Sequence, residues 1–139
     1  MGHVRDIMQK NAITIEYDKN SLDAAKILKE NEISFLVIIK DSVPIGIVSE
    51  RDFVQKIAAN DKVASSVPLE EIMSKKFRWV EPSSPIEDAV QKMVNNNIRR
   101  LVVLEDEKLV GVITQTDLTS FLRSKLLING TMDNIEEKS

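Results

Sequence analysis

The sequence predicts a duplicated mixed α/β (α+β) fold, built from two pseudo-twofold-related β-α-β-β-α units. Three observations predict it. First, residues 4–58 slide onto residues 69–123 without a gap: Ile7-Met8 falls on Ile72-Met73, Ala24 on Ala89, Ile33 on Ile98, Leu36-Val37 on Leu101-Val102, Gly46 on Gly111 and Asp52 on Asp117. An ungapped internal repeat of this length is one structural unit used twice, and a twofold pair builds its clefts between equivalent elements. Second, each copy joins an apolar pattern of helical period to continuous apolar runs of strand length. Third, a copy of about 55–60 residues is marginal for burying a core alone, so the halves are expected to share one.

The elements follow in order. Ile13-Thr14-Ile15 reads as a short strand. Ser21 reads as the cap of a helix over about residues 22–31, in which Leu22, Ala24, Ala25, Ile27 and Leu28 recur at helical spacing. Phe35 to Ile39 is an unbroken apolar run, long enough for a buried strand and too short for a helix. Lys40-Asp41-Ser42 is a polar turn, and Pro44 to Val48 is the next strand, with Pro44 suited to its first position. Ser49 opens a helix that runs to about Ala59. The second copy repeats the order: a strand at Arg78-Trp79-Val80, a helix from Pro85 to Asn96, a strand from Leu101 to Leu104, a turn over Glu105 to Lys108, a strand from Leu109 to Ile113 and a helix from Gln115 to about Leu127. Pro85 is well placed in the first turn of its helix. The first helix of the first copy reads one residue shorter than its counterpart. The division is a repeat over 1–59, a linker over 60–68, a second repeat over 69–128, and a polar, flexible tail over 129–139.

Composition narrows the function classes. Apolar residues at 42% and charged residues at 29% are ordinary for a soluble globular chain. A net charge of −3 with interspersed signs argues against a nucleic-acid partner, which wants a basic face. No apolar run approaches the roughly 20 residues that span a bilayer, and the N-terminus lacks the apolar core of a signal peptide. The expectation is a cytoplasmic protein without a membrane partner. The absence of cysteine excludes disulfides, thiol catalysis and cysteine-ligated metal. His3 is the single histidine, too few ligands for a transition metal, and at the chain end it is no base for a serine nucleophile. Neither phosphate-cradling glycine motif occurs, and no pair of carboxylates has acid/base spacing. The sequence offers no catalytic machinery, so an enzyme is not expected.

The sharpest local element is Gly46-Ile-Val-Ser49-Glu-Arg-Asp52, repeated as Gly111-Val-Ile-Thr114-Gln-Thr-Asp117. A hydroxyl residue followed three positions later by an acid is a capping box that opens a helix. A hydroxyl and a carboxylate at a helix N-terminus also suit a ribose, whose vicinal hydroxyls donate to the acid while the helix N-terminus favours phosphate. Both uses can coexist. Arg99-Arg100 is either a solvated pair or a phosphate clamp, for which arginine is well shaped. Its equivalents in the first copy are Ser34-Phe35, so the two clefts are not chemically alike. Arg51 is placed to contact phosphate or to pair with a nearby acid. Trp79, the only tryptophan, fits a core or dimer interface better than a ligand platform.

The order Asp-Ile-Met, short strand, Ala-x-x-x-Leu/Met, Ile, Leu-Val-Val/Ile, then Gly-Ile/Val-Val/Ile-Ser/Thr-x-x-Asp resembles the cystathionine-β-synthase (CBS) domain, and two copies resemble a tandem CBS pair over about residues 4–127. The resemblance implies two units packed through their sheets, with adenosyl ligands such as AMP, ADP, ATP or S-adenosylmethionine held in two clefts between the repeats. It implies a regulatory module acting on an effector protein, and a homodimer of pairs. One cleft would use Thr114 and Asp117 for ribose, Arg99 and Arg100 for phosphate, and Ile13, Thr14 and Ile33 for adenine, with Thr116 also lining it. The other would use Ser49, Arg51 and Asp52, with Ser74, Trp79, Val80 and Ile98 around the base. Where the family often carries a basic residue, the first copy has Ser34-Phe35, so the Asp117 cleft is expected to bind better than the Asp52 cleft. S-adenosylmethionine sensing, or a purely structural dimerisation module with empty clefts, are the alternatives; the arginine pair leans towards AMP, ADP or ATP.

Overall fold

Two three-stranded sheets carry the chain, one from each repeat, in a computed structural model that describes residues 2–128. The expected tail over 129–139 lies outside the described residues. The first repeat runs α1 (Val4–Ile7), β1 (Thr14–Glu16), α2 (Ser21–Asn31), β2 (Phe35–Lys40), β3 (Val43–Ser49) and α3 (Glu50–Asp52), which continues as a π-helical segment Phe53–Ala58. A 3₁₀ turn, Ala64–Ser66, interrupts the linker. The second runs α4 (Leu69–Ile72), β4 (Trp79–Val80), α5 (Ile86–Asn96), β5 (Arg100–Glu105), β6 (Lys108–Thr114) and α6 (Gln115–Ile128). The sheet orders are β1-β2-β3 and β4-β5-β6. In the first sheet β1 is parallel to β2 and β3 is antiparallel to it.

The local chemistry explains these elements. The two-residue turns Asp41-Ser42 and Asp106-Glu107 hold both residues at positive φ (51° and 67°, 52° and 66°), the backbone that lets a tight turn match strand twist. The register shifts between Ile38 and Ile39, where β3 brings Pro44, a residue without an N–H to give the ladder. Val37 is buried as well as Leu36 and Ile38, so β2 is covered on both faces and reads as a continuous apolar run. Helices α2 and α5 end alike, on Glu32 and Asn97 in the left-handed conformation.

Three expectations about the helices need correction. The cap of α2 is Asn20: its side chain accepts the Asp23 N–H at 2.9 Å, and the Asp23 carboxylate accepts the Asn20 N–H at 3.2 Å. Ser21 lies one residue inside, fully buried, and donates its hydroxyl to Val67 O at 2.7 Å. Helices α2 and α5 are of equal length, 11 residues each. One-turn helices α1 and α4 open the repeats; a single turn is too short to show a period.

The chain divides into two compact units that cut across the sequence repeats. Unit 1 holds residues 2–10, 78–105 and 110–128, and unit 2 holds 11–77 and 106–109. Each unit has its own apolar cluster, where one shared core was expected. In unit 1, Val4 of α1 joins Val80, Ala89, Met93, Leu101, Val103 and Ile113. In unit 2, Leu69, Ile72 and Met73 join Ile15, Ala24, Leu28, Leu36, Ile38, Val48, Ile57 and Val67. The opening segment of each repeat thus completes the core built by the other, which supplies the apolar area a lone repeat lacks.

Each opening segment is pinned by a backbone bridge to a glycine-bearing strand. In unit 1 Gln9 N donates to Val112 O at 2.8 Å and Val112 N to Gln9 O at 3.0 Å; in unit 2 Ser74 N donates to Ile47 O at 2.8 Å and Ile47 N to Ser74 O at 3.0 Å. The neighbouring Gly111 has no room for a side chain, because a Cβ there would meet Gln9 O at 2.7 Å. At Gly46 the first obstacle is the Met73 sulfur at 2.8 Å, the end of a flexible side chain, ahead of Ser74 O at 3.1 Å. Gly111→Ala is expected to cost about 1–3 kcal/mol, by opening the bridge to Gln9. Gly46→Ala should cost less; urea-unfolding midpoints of the two variants check the order.

Candidate functional site

The two glycine-led strands deliver a hydroxyl and a carboxylate to a helix start in each unit. In unit 1, the Thr114 N–H and hydroxyl donate to Asp117 Oδ2 at 2.8 and 2.9 Å, and the Asp117 N–H donates back to Thr114 Oγ1 at 3.2 Å. In unit 2, the Ser49 N–H and hydroxyl donate to Asp52 Oδ2 at 2.8 and 3.2 Å. Both carboxylates therefore cap their helices, and in both the cap engages Oδ2 and leaves Oδ1 for something else.

The partner of Oδ1 differs between the units. Asp117 faces the exposed Gln9 side chain, whose Nε2 lies 3.2 Å from each carboxylate oxygen. Asp52 Oδ1 instead lies 3.0 Å from Lys56 Nζ. Sequence reasoning picked out neither Gln9 nor Lys56. The repeat alignment carried a signal for both, since Gln9 falls on Ser74 and Lys56 on Phe121, two places where the copies disagree in chemistry.

Backbone hydrogen bonds fix what stands beside each helix start. Gln115 N donates to Arg99 O at 2.8 Å, which ties Arg99 to the N-terminus of the 14-residue α6. Glu50 N donates to Ser34 O at 2.9 Å, so a serine holds that place in unit 2. Unit 1 thus gathers Arg99 with Thr114, Thr116 and Asp117 around one helix start, with Arg100 next in the chain opening β5. Unit 2 gathers Ser49, Arg51 and Asp52, and its exposed Ser74 is bridged to Ile47 on the same strand.

The residues expected around a base lie as follows. Thr14 is half-buried on β1, and Ile13 and Ile33 pack partly against the unit 2 core. Val80 is 2% exposed inside the unit 1 core, so its side chain is committed to packing and only its backbone is available to a ligand. Ile98 packs at the edge of the same core and lines a groove of about 730 Å³ between α5 and α6, together with Val90, Val94, Leu118 and Phe121. Trp79 is 45% exposed, with Lys92 Nζ 5.4 Å from its ring centroid and donating to Trp79 O at 2.6 Å. Its ring is matched with a cation of its own unit. No helix among the described residues is long and apolar enough to cross a membrane.

Known proteins are similar to this chain in sequence and in fold. The CBS-domain family model matches residues 4–59 and 69–124, as the sequence motifs implied. An uncharacterised protein of Methanopyrus kandleri, MK0525, is 32% identical over 83% of this chain and 60% of its own length. The CBS domain-containing protein YhcV of Bacillus subtilis is 25% identical over 100% of this chain and 99% of its own. Among solved structures, the CBS domain pair of protein MJ0100, in complex with 5′-methylthioadenosine and S-adenosyl-L-methionine, is 28% identical with a TM-score of 0.81, covering 90% of this chain and 98% of that one. The two matched segments, the two three-stranded sheets and these likenesses agree: the chain belongs to the CBS-domain family and carries two CBS domains in tandem, the architecture of a regulatory ligand-binding module.

Proposed function

We propose that this chain is a non-catalytic sensor of an adenosine-containing ligand, with AMP, ADP or ATP as the leading class, acting in the cytoplasm as a homodimer on an effector protein. The observation that supports it most is the division of labour at Asp117. Oδ2 closes the helix cap, while among the described residues Oδ1 meets the Gln9 side chain, a neutral, exposed amide that two ribose hydroxyls can replace. The N-terminus of α6 favours phosphate. Arg99, tied by its carbonyl to that helix start, supplies the cation, with Arg100 following it. In unit 2 the weaker equivalent is Ser49, Arg51 and Asp52. A ligand moves the output only if it binds two states of the module with different affinity.

S-adenosylmethionine is the second reading, supported by the MJ0100 pair bound to it and to 5′-methylthioadenosine. It offers the same ribose but a carboxylate and a sulfonium where nucleotides carry phosphates, and the arginine pair favours the phosphates. Parallel calorimetric titration of the full chain with AMP, ADP, ATP and S-adenosylmethionine tests both. Micromolar binding of a phosphorylated adenosine is the expected result. Preference for S-adenosylmethionine moves the role to sensing of that ligand, and silence from all four leaves a structural pairing module.

A further inference from the structure

Asp52 and Asp117 hold the same place in the two repeats, yet Asp52 meets a lysine where Asp117 meets the uncharged Gln9 side chain. Lys56 Nζ lies 3.0 Å from Asp52 Oδ1, one helical turn ahead of it, and donates a second bond to Ile72 O at 2.8 Å, the last residue of α4. The ammonium is therefore anchored at two points, beside a carboxylate whose side chain is only 15% exposed. In unit 1 the equivalent position is Phe121, turned into the groove between α5 and α6.

We propose that Lys56 closes the Asp52 carboxylate to a ribose, so that the chain takes one adenosyl ligand, at Asp117. This deepens the sensor reading above and rests on it, by naming the residue that sets the stoichiometry. A ribose diol needs the oxygen that Lys56 already occupies, and an ammonium, itself charged, holds a carboxylate more firmly than a neutral hydroxyl does. Displacing the ammonium also breaks its bond to Ile72 O. Ser34, in the place of Arg99, brings no cation, so Arg51 alone is left to repay a phosphate-bearing ligand for that loss. The Asp52 box then serves as a helix cap alone.

The test isolates unit 2 by working in the Asp117→Ala background. Full-length Asp117→Ala and Asp117→Ala/Lys56→Met are titrated calorimetrically with AMP, ADP, ATP and S-adenosylmethionine, and the wild type is titrated for stoichiometry. The expected result is one ligand per wild-type chain and at least tenfold tighter binding in the double variant than in Asp117→Ala. Adding Asp52→Ala should remove that gain, and Lys56→Arg, which keeps the cation, should not produce it. Lys56→Gln replaces Lys56→Met if a thermal melt shows the latter unfolded. Two ligands per wild-type chain, or affinity that stays level or falls on losing Lys56, overturns the inference while leaving the sensor reading intact; a fall would make Lys56 a ligand contact. A wild type silent to all four probes removes the sensor reading and this inference with it.

Discussion

Asp117→Ala is expected to weaken binding of the adenosyl ligand about ten- to a hundredfold, and Asp52→Ala far less. Hydrogen bonds to a charged group contribute about 1.5–3 kcal/mol each, and one such contribution spans that range. The asymmetry follows from the partners already present: Gln9 gives way at little cost, whereas Lys56 holds its carboxylate with a full charge. Alanine at 117 also deletes the acceptor for the Thr114 N–H and hydroxyl, which costs roughly 1 kcal/mol of helix-cap stability. A melt of each variant separates that loss from the binding loss, and Asp117→Asn serves as a second variant that removes the charge with little change of shape. Equal losses of affinity for the two alanine variants would reverse the ranking of the sites.

Leu69→Ala is expected to destabilise the protein by about 2–5 kcal/mol, a large share of a typical domain's 5–15 kcal/mol. Leu69 is fully buried and sits in the unit 2 cluster with Leu36, Ile38 and Val48. It opens the second repeat in sequence but fills the core laid down by the first. Hydrogen exchange on the variant should therefore show protection lost first in β2 and β3. Loss first in β5 and β6 would contradict the division into units. Val63→Ala, at a side chain 67% exposed in the linker, is the control and should stay within about 0.5 kcal/mol of the wild type.

The local elements were legible because their causes are local. The apolar runs placed β2, β3, β5 and β6 within one or two residues, and the Ser/Thr-x-x-Asp boxes at 49–52 and 114–117 close over three residues as read. The cap of α2 was missed by one position because Asn20 and Ser21 are both good caps, and the choice fell to tertiary contact: Ser21 is drawn to Val67 O, 46 residues away. Lys56 was passed over although it lies one turn from Asp52, because a lysine on a helix reads as solvated face until its second acceptor, Ile72 O, is in view.

The sequence by itself determined the duplication, the β-α-β-β-α order within each copy, the family, and the two capped carboxylates, since repeat register, side-chain period and capping boxes are all set by neighbours along the chain. Only the tertiary structure decided that each repeat's opening segment completes the other repeat's core, that Gln9 meets Asp117 across 108 residues, and that the Asp52 oxygen is engaged by Lys56. Those outcomes depend on where distant backbone lands, and a side chain's partner there is chosen by packing that no local period records.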